Sequence, residues 1–344
     1  MNTQNLLSVH NLKQYFPLKN NALFSGKRKF LRANDGITLD IKRGETFGLV
    51  GESGCGKSTF GRAVLQLERP TDGSVVYYDE KGTPVELTQC DGKRMRALRK
   101  DLQIIFQDPY SSLNPRMTVG QIIGEGVWTH GRWGKRSKTL QEYVLEVMDS
   151  CGLQPHMLHR YPHEFSGGQR QRICIARALA LKPKFVVCDE CVSALDVSIQ
   201  SQILNLLSDL KKKQALTYLF ISHDLSVVRH VSDRIAVMYL GKIVELGDAE
   251  RIFEEPRHPY TIALISAIPT VEKGARDEKK ILLEGHMPSP VSPPQGCPFH
   301  TRCFMAQEIC QRIPVPLVET ENGHFVACHF AEKSAKEKRV LAKK

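Results

Sequence analysis

The chain has no long apolar run. Nowhere in its 344 residues does a stretch approach the roughly 18–20 apolar residues that a membrane span requires, and Met1–Gln14 lacks the charged-then-apolar pattern of a secretory leader, so the chain is not expected to cross a bilayer itself. Aromatic residues are sparse, at 7% with two tryptophans, and the basic runs carry almost none of them. That argues against a surface on which nucleic-acid bases stack. Negative charge is also in short supply: 37 Asp and Glu face 48 Lys and Arg, for a formal charge of +11. Such a surplus suits an anionic partner, with nucleic acid, an anionic membrane surface and a nucleotide all open at this point. There is no internal repeat and no coiled-coil insertion. The length allows one large domain or two modest ones. Cysteine, by contrast, is plentiful at ten. Disulfide frameworks are rare in the cytoplasm, and four of the ten crowd into the last fifty residues, which points to a metal or cluster.

Periodicity divides the chain into three regions. Leu6–Phe16, Gly36–Ile41 and Gly73–Asp79 alternate as strands of an antiparallel layer, and residues 18 to 32 read as an exposed basic insertion. Val119–Gly152 is mostly helical by its apolar spacing. Thr46–Val50, Lys184–Glu190 and Thr217–His223 are short, nearly continuous apolar runs of the kind buried on both faces of a parallel sheet. Helical patterns at Val197–Lys211 and Leu225–Val231 follow the last two. Beyond Pro269 the composition shifts; Pro288, Pro290, Pro293 and Pro294 exclude regular structure locally, and Lys333–Lys344 reads as a charged tail.

The segment GESGCGKST, Gly51–Thr59, meets G-x-x-x-x-G-K-[ST] in full between an apolar strand and a helical pattern at Lys57–Leu67. Gly51, Gly54 and Gly56 let the backbone curl so that the N–H groups along Ser53, Cys55 and Thr59 can face a phosphate, and the helix start adds positive potential. Lys57 can reach the outer phosphates and Ser58 can ligate Mg²⁺. The chain is therefore expected to bind a nucleoside triphosphate. About 110 residues later, Ser166-Gly167-Gly168-Gln169 opens another helical run with small residues, a further place for an anion at a helix start. One nucleotide has no need of two cradles, so this one is expected to cap a nucleotide held by another subunit. The strand ending in Asp189-Glu190 delivers two carboxylates, Asp189 for the Mg²⁺ shell and Glu190 to polarise an attacking water. His223 closes the next strand as a third polar group for the γ-phosphate.

These motifs together resemble the nucleotide-binding subunits of ATP-binding cassette (ABC) transporters over roughly Leu6–Pro269. The Walker A loop, Gln107 of the Q-loop in IIFQDPYSSLNPR, the SGGQ signature, the Walker B strand, the D-loop at Ser193–Asp196 and the His223 switch occur in that family's order. The resemblance implies an α/β P-loop NTPase (RecA-like) core with an antiparallel β layer and an inserted α-helical subdomain, about 108–178, within a domain spanning 1–270. It also implies Gln107 in the Mg²⁺ shell, Tyr15 stacked on adenine, and a dimer of cassettes that sandwiches two ATP. HPYT at His258–Thr261 and the phrase MPSPVSPPQGCPF at Met287–Phe299 resemble the ATPase subunits of bacterial dipeptide and oligopeptide importers, most of all the oligopeptide F type. This branch implies two transmembrane permease subunits, an extracytoplasmic substrate-binding protein acting indirectly, and peripheral residence on the cytoplasmic face of the cell membrane. Import of nickel or glutathione, and a soluble ABC ATPase acting on nucleic acid, stand as alternatives.

Cys297, Cys303, Cys310 and Cys328, spaced C-x5-C-x6-C-x17-C, lie in a small Cys/Pro-rich extension at 271–332. Four thiolates can hold a [4Fe–4S] cluster or tetrahedral zinc, and spacing does not decide between them; related importers imply the cluster. His300, His324 and His329 are possible further ligands, and otherwise read as surface residues. Cys191 stands where the family has proline after the Walker B glutamate, and is expected to leave Glu190 less firmly placed. The basic surplus, including Lys93, Arg94, Arg96, Arg99 and Lys100 on one helix, reads as a solvated face near anionic lipid rather than a nucleic-acid site.

Overall fold

The computed structural model describes residues 5–18, 29–131, 139–268, 281–321 and 323–334. Most of the anticipated basic insertion, residues 19–28, and most of the charged tail, residues 335–344, lie outside the described residues. The chain forms two compact units, each discontinuous in sequence.

The first unit comprises Met1–Leu7, Ile41–Thr46 and Tyr77–Ile221. Its strands Leu102–Ile105, Phe185–Asp189 and Thr217–Ser222 pair in parallel, in that order. Phe185–Asp189 and Thr217–Ser222 are buried at every position, which explains their unbroken apolar text. The anticipated helical stretch 119–152 resolves into two helices, Val119–Thr129 and Leu140–Ser150. Each begins with a reciprocal capping box, Thr118 with Gln121 and Thr139 with Glu142, so two orphan donors are satisfied at each start. Gly167–Leu179 packs against both and against Val197–Gln214. The approach to the latter is close: a β-carbon on Gly168 would stand 2.5 Å from Ile199 Cγ2.

The second unit comprises Ser8–Asp40, Phe47–Val76 and Ser222–Lys344. The strands Phe30–Lys42, Asn5–Pro17 and Asp72–Tyr78 form one sheet in that order. Residues 30–32, read from sequence as insertion, are therefore strand. In another sheet Thr46–Val50 pairs in parallel with Arg234–Tyr239, which pairs antiparallel with Lys242–Asp248. A hairpin of Val318–Glu321 and His324–Val326 continues that sheet. The proline-rich reading of 271–332 missed this hairpin and the short helix Glu308–Arg312, because Pro288, Pro290, Pro293 and Pro294, on which it rested, lie upstream of both.

A buried carboxylate joins these pieces. Glu245, fully buried on strand Lys242–Asp248, accepts hydrogen bonds from Arg257 N (2.7 Å), His258 N (3.0 Å) and His324 Nε2 (2.8 Å). His324 is thus not a surface residue: it is fully buried and holds the hairpin to the strand. Removing an acceptor that satisfies three buried donors leaves all three desolvated without a partner, so Glu245→Ala should destabilise the protein by about 3 kcal/mol or more. Glu245→Gln should recover part of that loss, as read from denaturant midpoints. Equal midpoints for Glu245→Ala and the unaltered chain would remove the carboxylate from this role.

Candidate functional site

The phosphate loop lies in the second unit, between the fully buried strand Thr46–Val50 and the helix Lys57–Val64. Two of its glycines are demanded by sterics. A β-carbon on Gly51 would sit 2.2 Å from the Met238 carbonyl oxygen. Gly56 caps the helix at φ 109°, and its β-carbon would sit 2.1 Å from the Ala33 carbonyl. Outer contacts complete the frame: Asn34 Nδ2 donates to Gly56 O at 3.0 Å and Gly241 N to Cys55 O at 2.9 Å. The Lys57 ammonium is folded into the loop, donating to Gly51 O (2.8 Å) and Glu52 O (3.0 Å). Cys55 is buried beside it, and burial pushes its thiol pKa up. Ser53 and Gly54 are exposed, Ser58 and Thr59 half-buried.

Tyr15, the expected adenine partner, lies in the same unit and is half-buried. Its hydroxyl donates to Asp35 Oδ1 at 2.5 Å, and the Arg32 guanidinium stands 5.8 Å from its ring centroid. Burial and the Asp35 contact push the phenol up to about 12. His223, immediately after strand Thr217–Ser222, is exposed.

In the first unit, Asp189 and Glu190 end their strand as expected, both buried. Gln107 Nε2 donates to Glu190 Oε2 at 2.9 Å, so the Q-loop amide and the Walker B glutamate are brought together. Glu190 adopts a left-handed backbone, φ 47°, yet it is tied firmly. Its N donates to Ile221 O (3.0 Å), and its carbonyl accepts from Ser193 N (3.1 Å) and Ser193 Oγ (2.9 Å). These bonds hold Glu190 through its own N–H and carbonyl, with Cys191 standing where the family has proline. The buried Cys191 thiol instead pairs with Cys188, and that contact together with burial raises the Cys188 pKa.

Ser166 is the N-cap of Gly167–Leu179, accepting from Gln169 N at 3.4 Å while Gln169 Oε1 accepts from Ser166 N at 3.1 Å. Ser166 and Gly167 remain exposed. Gly168 owes its identity in part to packing on Ile199.

The four late cysteines converge on one cavity, shared with His258, Phe299 and Phe330. Its volume is about 10 Å³, room for about one water. Burial, with a smaller contribution from neighbouring thiols, pushes Cys297 up to about 11 and Cys303 up to about 12, and raises Cys328. Among the described residues no three His, Cys, Asp or Glu side chains stand close enough together to hold a metal ion. The donor chemistry suits a thiophilic metal, but the positions as they stand do not enclose one. His300 and His329 line the same cavity, and their Nδ1 and Nε2 lie against the carbonyls of Cys297 (2.8 Å) and Ile313 (3.1 Å).

The ABC transporter family model matches residues 34–193, and the model of the oligopeptide/dipeptide transporter C-terminal region matches 244–310. The oligopeptide transport ATP-binding protein AppF of Bacillus subtilis is 48% identical over 330 residues, 96% of this chain and 98% of that one. OppF of Escherichia coli is 49% identical over 325 residues, covering 94% and 95%. The chain belongs to the ABC transporter ATP-binding subunits of the oligopeptide/dipeptide branch. The dimeric post-hydrolysis structure of the ATP-binding cassette MJ0796, bound to ADP and Pi, matches with a TM-score of 0.61 at 25% identity, over 71% of this chain and 98% of that one. This protein is thus an ABC-type ATPase with the P-loop NTPase cassette fold. Among its described residues no helix is long and apolar enough to cross a membrane.

Sequence reading missed four residues at or behind the phosphate loop. Tyr260 of HPYT, read only as a mark of the branch, receives the Glu52 backbone N–H on its hydroxyl at 2.9 Å. Glu52, a variable position of the motif, pairs with Arg302. His258 makes the HPYT turn possible: its Nδ1 accepts from Tyr260 N at 3.1 Å and caps Pro259–Ser266. That role needs a neutral ring, and complete burial holds the His258 pKa down to about 4. The unfolded chain takes up this proton near pH 6.5. Stability from His258 is therefore full above that pH and falls as pH drops toward 4, by a total on the order of 3 kcal/mol. His258→Asn, which can cap without titrating, should flatten the pH dependence of the denaturation midpoint between pH 6.5 and 4. An unchanged slope in that variant would assign the acid sensitivity elsewhere.

Proposed function

We propose that this ATPase is the energy-coupling subunit of an importer of oligopeptides or dipeptides, working as one half of a cassette dimer on two membrane permeases. AppF and OppF carry oligopeptide transport in their names, and peptide is the substrate class we carry over. The observation that carries the coupling role is the 2.9 Å hydrogen bond from Gln107 to Glu190. It ties the residue at the head of the helical segment, about 108–178, to the general base of hydrolysis. In the same unit an open groove of about 830 Å³ is lined by Arg116, Met117, Gln121, Glu125 and Leu158 beside the exposed Trp128. A membrane subunit docked there could reach the base through Gln107. Peripheral attachment to the cytoplasmic face of the membrane follows, with the substrate-binding protein acting only through the permeases.

In this reading the loop Gly51–Thr59 cradles ATP, with Tyr15 on the base and Lys57 on the outer phosphates. Ser58, Gln107 and Asp189 serve Mg²⁺, a dication that offsets repulsion between the carboxylates and the triphosphate. Glu190 polarises water and His223 faces the γ-phosphate. Ser166, Gly167, Gly168 and Gln169 serve the nucleotide of a second ATPase subunit, identical or different, and the exposure of Ser166 and Gly167 agrees with that use. The division into a nucleotide-binding domain at 1–270, an extension at 271–332 and a tail at 333–344 belongs to the same proposal.

With Glu190 as base, Glu190→Gln should keep MgATP binding and slow hydrolysis by about 10²-fold or more in the assembled transporter. Phosphate release at the unaltered rate would strike Glu190 from the mechanism.

The extension is proposed to carry a metal on Cys297, Cys303, Cys310 and Cys328, an iron–sulfur cluster with zinc as the alternative. What supports it is the chemistry of four soft donors that line one cavity. Thiols raised by burial stay protonated without a cation and lose their protons to one. The group is structural, a staple for a segment with little core, and no step of hydrolysis runs through it. Protein purified without oxygen should contain iron and absorb near 400 nm, as cysteine-ligated clusters do. Stoichiometric zinc without iron would select the alternative, and neither metal with all four thiols open to alkylation would discard both.

A further inference from the structure

A phosphate loop is built to receive negative charge, yet its second residue here is Glu52. An unpaired carboxylate at that position opposes the anion the loop exists to hold. The Glu52 side chain is 27% exposed, and what it faces is Arg302, itself 8% exposed, whose Nη1 stands 2.9 Å from Oε2 and 3.1 Å from Oε1. The guanidinium is fixed in turn: Nε donates to Glu284 O at 3.4 Å, and Cζ lies 6.0 Å from the Tyr239 ring centroid. Its backbone N donates to Phe299 O at 3.0 Å. Phe299 packs on Tyr239 and Tyr260 with centroids 5.1 and 5.3 Å away. Tyr260 also takes the Glu52 N–H, so both the side chain and the backbone of this loop residue are held from the C-terminal part of the chain. From the same part, Met287 Cε lies 3.7 Å from where a β-carbon on Gly54 would be.

We infer that Arg302 is a positioning residue of the nucleotide site: it neutralises Glu52 and holds its carboxylate on the C-terminal extension, so that the loop can accept a triphosphate. The extension is then part of the nucleotide site. Arg302 adjoins Cys303, and Phe299 lines the thiol cavity, so the region read above as a metal staple also shapes the loop. The inference rests on the loop being the ATP site and adds a specific charge relation within it.

The test is a double-mutant cycle on the full chain, reading equilibrium affinity for MgATP together with thermal stability. At low ionic strength Arg302→Gln should weaken MgATP about tenfold, the scale of one unit charge felt through a partly solvated site. The loss should shrink severalfold in 0.5 M salt, because Glu52 is open to screening. In a Glu52→Gln background the same Arg302→Gln change should alter affinity less than twofold. Arg302→Lys, which keeps the charge, should stay within about threefold of the unaltered chain, and it carries the test if Arg302→Gln fails to fold. A loss that ignores salt and persists in the Glu52→Gln background would make Arg302 merely structural and overturn the inference. So would unaltered affinity in Arg302→Gln, or a full tenfold loss in Arg302→Lys. Failure of the unaltered chain to bind MgATP would instead remove the nucleotide reading on which the inference stands.

Discussion

The phosphate loop keeps its shape because backbone comes within reach of backbone. At Gly51 and Gly56 a carbonyl from another segment, Met238 and Ala33, occupies the space a β-carbon would need. The loop can therefore turn its N–H groups toward a phosphate only while those two segments stay where they are. One is the end of a strand paired with the loop's own strand, and the other runs in the sheet that carries Tyr15. The anion cradle, the candidate base-stacking residue and the second unit's core are consequences of the same close packing.

Polar contacts refine what sterics begin. Glu52 is held on its side chain by Arg302 and on its N–H by Tyr260. Tyr260 is presented by a turn that His258 caps and Glu245 anchors, and Glu245 is shared with His324 of the C-terminal hairpin. A continuous set of hydrogen bonds thus runs from the hairpin to the phosphate loop. The links among Glu245, His258, Tyr260 N and His324 are buried, where an unsatisfied partner is costly, and those at Glu52 are part-buried. HPYT, visible in the sequence as a mark of the branch, has a physical task in this arrangement.

In the other unit the corresponding economy lies around Glu190. Its left-handed backbone is maintained by bonds to Ile221 and Ser193, and its carboxylate is met by Gln107. A strained backbone position persists only when its surroundings over-determine it. Here they do so without the proline that the family places next.

Local chemistry determined much on its own. Strand–loop–helix text at 46–64, the helix start at Ser166–Gln169, the paired carboxylates at 189–190 and the buried parallel strands were all legible, because each depends on contacts only a few residues apart in sequence or on simple burial. What only the tertiary structure decided involves partners far apart in the chain. Glu52 with Arg302 is separated by 250 positions and Glu245 with His324 by 79. No periodicity encodes such pairs, so Arg302 went unremarked and His324 was taken for a surface residue. The hairpin at 318–326 escaped for a related reason: short strands acquire their identity from the strand they pair with, here Lys242–Asp248, rather than from a pattern of their own. The convergence of four cysteines on one cavity was foreseeable from their number, while their spacing around it was a matter of how distant loops pack.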